Sequence, residues 1–168
     1  MRTRVTRLAL SVFLLATSSA LAGAFVHPRS LSGIDLYDGT VEQVIAILGA
    51  PSRFTTVPTS KRSYEWDRKT CRLKVIALDD GRIIRIDVWG STTPGSTLGA
   101  TRRGLKLSAT VGEARRTYAR FHLIGFSPEE RWKFYLDCAP PRPILVIDFD
   151  AAGRIDHMKL TTETVYCY

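Results

Sequence analysis

Residues 34–90 read IDLYDGTVEQVIAILGAPSRFTTVPTSKRSYEWDRKTCRLKVIALDDGRIIRIDVWG, and this stretch decides the fold. Thr40 followed by Gln43 is a capping box, in which the hydroxyl and the amide satisfy two backbone donors left open at a helix start. Val41, Val44, Ile45 and Leu48 then fall on one face at helical spacing. Gly49 suits the left-handed position that ends a helix, and Pro51 bars its continuation. Strands follow. Arg62 to Asp67 alternates, with Tyr64 and Trp66 on one face and Ser63, Glu65 and Asp67 on the other. Cys71 to Asp79 is rich in aliphatic residues, and Asp80-Gly81 turns the chain into Arg82 to Trp89. Alternation there separates Ile84, Ile86 and Val88 from Ile83, Arg85, Asp87 and Trp89.

Working outward, the same order of signals returns about 70 residues later, after a turn-rich segment, Gly90 to Gly99. Thr110 and Glu113 form a second capping box, with Val111, Ala114, Tyr118 and Phe121 as the apolar stripe. Arg131 to Asp137 alternates, with Trp132, Phe134 and Leu136 on one face. Pro140, Pro141 and Pro143 make a corner before the apolar run Ile144 to Asp150, and a turn leads into Arg154 to Thr162. The predicted fold is therefore α+β: two tandem repeats, each a short helix on an antiparallel meander. The helices lie on one face and the other sheet face is open. The corresponding divisions are 1–22, 23–33 (a polar, mobile lead-in), 34–90 (repeat 1), 91–103 (linker) and 104–168 (repeat 2).

Residues 1–22 have the pattern of an export signal. Arg2, Arg4 and Arg7 precede the apolar run Leu8 to Ala16, and Ala20 and Ala22 match a small-residue cleavage site, predicting a cut between Ala22 and Gly23. The apolar run falls short of the roughly 20 residues a membrane span requires. This segment holds three arginines and no acid, so the net charge of +8 falls to +5 without it. The expected location is periplasmic or secreted, with no membrane-spanning segment in the mature protein. With 45% apolar and 24% charged residues, the composition is that of a folded chain.

An exported chain can pair its cysteines, here Cys71, Cys138 and Cys167. In the meander, the strand ending before Cys138 and the one ending at Thr162 run the same way, which favours a Cys138–Cys167 bridge. The rival is Cys71–Cys167. No metal is expected, because His27, His122 and His157 show no ligand spacing, and no cofactor motif is present.

Catalysis requires a nucleophile or base beside an orienting group. Gly95-Ser96-Thr97-Leu98-Gly99 has Thr at its centre and lies in a linker, so it is no nucleophile elbow. His122 and His157 have no motif around them. Asp79-Asp80 and the pair Asp148 and Asp150 read as turn and strand-end residues. The chain reads as a non-enzyme. Its candidate binding surface is the open sheet face, with Arg85, Asp87 and Trp89 from the first half and Lys133, Tyr135, His157 and Lys159 from the second. Aromatic residues with arginine are what protein-binding hot spots are made of.

The combination Gly39-Thr40-Val41-Glu42-Gln43-Val44, Leu48-Gly49-Ala50-Pro51, Tyr64-Glu65-Trp66 and Leu78-Asp79-Asp80-Gly81-Arg82-Ile83 resembles the small outer-membrane-assembly lipoprotein family (the SmpA/OmlA, or BamE-like, fold). Doubled within an exported chain, it is similar to the β-lactamase-inhibitor-protein family. The resemblance spans nearly all of residues 34–162 and implies a bacterial, non-catalytic binding module. It departs from the lipoproteins in having no cysteine at the cleavage site. It departs from the inhibitors in having a single cysteine in each half of the matched residues 34–162, Cys71 and Cys138, with Cys167 beyond them. The function expected is binding of another exported or envelope protein, as an inhibitor, an immunity-type neutraliser or an assembly accessory, by a monomer. The alternative is an envelope structural factor that binds anionic lipid or peptidoglycan through an Arg-rich helix face (Arg115, Arg116 and Arg120, with Arg102 and Arg103). Nucleic acid is not an expected partner.

Overall fold

A computed structural model describes residues 29–91, 98–118, 122–124, 132–136 and 143–163. The residues predicted as a signal peptide lie outside them, as do Cys138, Cys167 and Arg120. The described residues build ten strands: β1 (Ser30–Leu31), β2 (Ile34–Asp35), β3 (Arg53–Val57), β4 (Lys61–Asp67), β5 (Cys71–Leu78), β6 (Ile83–Gly90), β7 (His122–Ile124), β8 (Trp132–Leu136), β9 (Ile144–Phe149) and β10 (Ile155–Thr161). Two helices accompany them, α1 (Val41–Leu48) and α2 (Val111–Thr117).

This corrects the expected α+β fold of two helix-plus-meander repeats. The protein is mostly β, and β3 to β10 form one continuous antiparallel sheet in the order β3-β4-β5-β6-β10-β9-β8-β7. The overturning feature is the central pairing of β6 with β10, from His157 opposite Trp89 to Thr161 opposite Arg85. Backbone donors and acceptors on both strands are satisfied across this seam, so neither half has a sheet of its own. The helices, eight and seven residues long, are each about two turns.

Local sequence signals do set the helix starts. Gln43 N donates to Thr40 Oγ1 at 3.4 Å while Thr40 N donates to Gln43 Oε1 at 3.0 Å, and Thr110 and Glu113 make the same reciprocal pair. Val41 and Val44 are buried, each contributing about 1.5–3 kcal/mol by leaving water. At the far end of α1 the Trp66 indole donates to Gly49 O at 2.9 Å, and Arg68 donates to Leu48 O. Trp66 is itself 1% exposed, so one side chain both fills the core and satisfies a helix-end carbonyl.

The core lies on one side of the sheet. Leu73, Val75, Ile86, Val88, Ile147 and Leu160 from the sheet pack with Val41, Val44 and Ala114 of the helices. The covering layer also draws on segments the sequence reads as lead-in and linker. Leu31 is fully buried and bridges to Thr101, and Ser32 N donates to Ala100 O at 2.8 Å. Leu105 and Leu107 complete that layer.

Two bulges adjust the faces. Ile76 pairs with Arg85 but Ala77 pairs with Ile83, so Ile84 is extra. Ile155 pairs with Phe149 but His157 pairs with Asp148, so Asp156 is extra. An extra residue reverses the alternation on one side of the bulge. Ile83 and Ile155 therefore enter the core, although simple alternation put Ile83 beside Arg85. The Ile84 carbonyl freed from the ladder accepts from Thr162 N at 3.0 Å and Thr161 Oγ1 at 3.2 Å.

Candidate functional site

Beyond the bulges, the side of the sheet away from the helices carries two cross-strand rows. The first runs Arg72, Trp89, His157, Asp148, and the second Lys74, Asp87, Lys159, Val146. Backbone register sets Lys133 opposite Asp148 and Tyr135 opposite Val146. Six of the seven residues expected on this face thus occupy adjacent positions in these rows, and Arg85 lies one row further on, between Ile76 and Thr161, although the seven come from three strands.

The face is less open than an unadorned sheet. Ile76, Ile144 and Val146 on it are buried, and Asp87 is 0% exposed. Asp87 is held by Arg85, with Nε at 2.6 Å from Oδ2 and Nη2 at 3.0 Å from Oδ1, a bidentate fork. His157 Nε2 lies 3.2 Å from Asp87 Oδ1, and His157 Nδ1 lies 2.6 Å from Asp148 Oδ2. Trp89 stacks on the imidazole with centroids 4.7 Å apart and planes 5° apart. Asp148 Oδ1 is buried without a hydrogen-bond partner among the described residues.

Electrostatics follow from this packing. Burial pushes the Asp87 carboxyl up, but the hydrogen bonds from His157 and Arg85 outweigh it and leave it below the ordinary value. Burial pulls His157 down, and its two carboxylate partners outweigh that, so its pKa is raised. With a carboxylate at each ring nitrogen, the imidazolium is the matching form, since both nitrogens then donate. Burial depresses Lys159, and nearby Arg85 adds to the effect. Glu163 closes the edge, 2.8 Å from Lys61 and 3.8 Å from Arg85.

Asp148 is the member that sequence reasoning missed. The sequence pattern groups it with Asp150 as a turn or strand-end residue, and Asp150 is one, accepting from Ala152 N and Arg154 N. Asp148 lies inside β9 and faces His157. Only the pairing of β9 with β10 reveals this. His157, isolated in sequence, is the most highly connected side chain of the face.

The arrangement is a polar lattice of ion pairs and hydrogen bonds joining β6, β10 and β9. Among the described residues no group of three His, Cys, Asp or Glu side chains could hold a metal ion. None of their helices is long and apolar enough to cross a membrane. Cys71 is a free thiol, 6% exposed, whose pKa burial raises.

The fold and face define a mostly β protein in which one eight-stranded sheet, beside the two-stranded β1–β2 pair, carries a polar, ion-paired face. No family model matches the chain, and no curated protein matches it. Solved structures do. A cysteine-rich secretory protein from Staphylococcus aureus is similar at a TM-score of 0.51 and 10% identity, over 76% of this chain and 45% of that one. A DUF4309 family protein from Bacillus subtilis gives 0.50 and 16%, over 78% and 83%. An extracellular protein containing an SCP domain from Bacillus anthracis gives 0.52 and 9%, over 94% and 50%. The chain thus spans half or less of the first and third proteins. At these identities the likeness is one of fold alone.

Proposed function

We propose that this protein is an exported, non-catalytic binding module that engages another exported or envelope protein through the sheet face of β6, β10, β9 and β8. The observation that carries the reading is the buried Asp87–His157–Asp148 cluster beneath Trp89. It holds Trp89 and Arg85 in fixed positions, so little ordering cost remains to be met on binding. Asp87, being fully buried, acts by holding its neighbours. Contact with the partner falls to Trp89, Arg85, Lys159 and the two β8 positions, Lys133 and Tyr135. Roles as an inhibitor, an immunity-type neutraliser or an assembly accessory all fit such a surface. Export, with cleavage between Ala22 and Gly23, is supported by the N-terminal pattern, and two of the similar structures are described as secretory or extracellular.

The test is affinity purification of the tagged protein from envelope extracts. One partner at near-equal stoichiometry is expected, and Trp89→Ala with Lys159→Ala should abolish it without lowering the unfolding midpoint to the point of melting. Lys159 is preferred to Arg85 here because removing Arg85 also strips Asp87 of its bidentate partner. Retention of the partner by a folded double variant would end the sheet-face reading.

A further inference from the structure

The cations of this protein are divided into two populations. Arg29, Arg53, Arg62, Arg72, Arg82 and Arg85 each stand in an ion pair with an acid. Among the described residues, Arg68, Lys69, Arg102, Arg103, Lys106, Arg115, Arg116 and Arg154 have no such pair and are exposed; Arg68 and Lys69 lie in the turn between β4 and β5, and Arg103, Lys106, Arg115 and Arg116 lie in or beside α2. Arg103, Lys106 and Arg116 line one concave groove of about 560 Å³ between residues 103–109 and α2. Its one acid, Glu113, already accepts from Thr110 N at 2.7 Å and Thr110 Oγ1 at 2.8 Å as part of the helix cap. Arg103 is anchored in place, its Nη1 3.4 Å from Thr117 O and its guanidinium 5.5 Å from the centre of the Tyr118 ring. Arg154 is likewise tethered, donating to Ser108 O at 3.3 Å.

We propose that this groove is a binding site for a soluble ligand carrying two or more linked phosphate groups. Guanidinium forks match phosphate oxygens in a bidentate way, and the three lining cations Arg103, Lys106 and Arg116 against the one carboxylate of Glu113, which feels Arg116 and Arg154, leave a surplus of two positive charges that calls for more than one anionic group. The concave shape takes a discrete ligand. A flat bilayer would be gripped by apolar side chains on the rim, and among the described residues the exposed large apolar ones, Tyr37, Ile47 and Phe54, belong to the first half of the chain. The site is independent of the sheet face, because α2 packs through Ala114 on the opposite side of the sheet.

Tripolyphosphate is the probe, titrated calorimetrically into the full mature chain, with inorganic phosphate and phosphatidylglycerol vesicles as separate arms. Saturable one-to-one binding of tripolyphosphate is expected, weaker for inorganic phosphate and at least tenfold weaker at 200 mM than at 50 mM salt, as about two or more neutralised charges would produce. Lys106→Ala with Arg116→Ala should reduce affinity at least tenfold. Arg62→Ala with Arg82→Ala, the same loss of charge from acid-paired positions, should change it less than twofold. Absence of saturable binding overturns the proposal, as does an equal loss in both variants. So does sedimentation with vesicles in the absence of tripolyphosphate binding, which would assign the cations to a lipid surface.

Discussion

His157 lies flat against Trp89, the rings 5° from parallel, and the same imidazole joins Asp87 to Asp148 across three strands. Removing the ring leaves two carboxylates behind, one of them fully buried. His157→Ala is expected to cost about 3–5 kcal/mol, the range for breaking a buried pair on one side. Urea unfolding measures this, and a loss below about 1 kcal/mol would show that the cluster is not coupled.

The cluster also gives stability a signed dependence on pH. His157 has a raised pKa in the folded state, so its contribution is complete below its unfolded value, about 6.5, and is lost as pH rises through the higher folded value. Asp87 has a lowered pKa, so its contribution is present above about 3.8 and is lost as pH falls through the lower folded value. Unfolding free energy measured from pH 5 to 9 should therefore fall on the alkaline side. His157→Gln should flatten that fall. An NMR titration placing His157 below 6.5 would contradict the geometry.

Both helices begin on a reciprocal cap. Thr40→Ala and Thr110→Ala should each destabilise by about 1 kcal/mol, and serine should restore most of it. Thr110→Ala should also move Glu113 part of the way back toward the ordinary carboxylate range, since it removes the hydroxyl bond but leaves the Thr110 backbone N–H, the larger of the two bonds that hold it down. Chemical denaturation and a carboxylate titration read the two effects separately.

Glycines at two strand or helix ends differ in a testable way. Gly49 and Gly90 both have positive φ, at +77° and +104°. Nothing lies within 4 Å of a side chain added at Gly49, whereas a Cβ at Gly90 would sit 2.4 Å from Thr70 O. Gly49→Ala should cost about 1–3 kcal/mol for backbone conformation alone, because its ψ of −174° puts it in a region essentially confined to glycine. Gly90→Ala should cost clearly more, by thermal melting, because the β5–β6 end must shift as well.

Cys71 should resist N-ethylmaleimide in the native protein and react once the chain is unfolded, since its thiol is buried and free. Peptide mapping of the unreduced protein tests the predicted Cys138–Cys167 bridge at the same time. A peptide linking Cys71 to Cys167 would refute both statements.

Much of this architecture was legible because it is local. Thr40-x-x-Gln43 and Thr110-x-x-Glu113 name their own helices, and β4, β5, β6, β9 and β10 begin and end within a residue or so of their alternating runs. The unread parts depend on partners distant in sequence. β1 and β2 are two residues each, too short for any periodicity, and β3 is exposed on nearly every residue, so it shows no apolar alternation. The bulges at Ile84 and Asp156 exist only relative to a neighbouring strand. The β6–β10 seam, which turned two expected meanders into one sheet, is a pairing of residues about 70 apart that neither strand announces by itself.

That seam has a consequence for the order of assembly. β10 is the last described strand along the chain yet sits near the middle of the sheet, between β6 and β9. Until residues 155–161 arrive, β6 offers the backbone of Arg85 to Trp89 as a bare edge, open to any passing strand. Closure of the sheet across β6 must therefore wait for residues 155–161. The hazard during that wait is capture of the edge by another copy, and the arrival of His157 beside Trp89 marks its end.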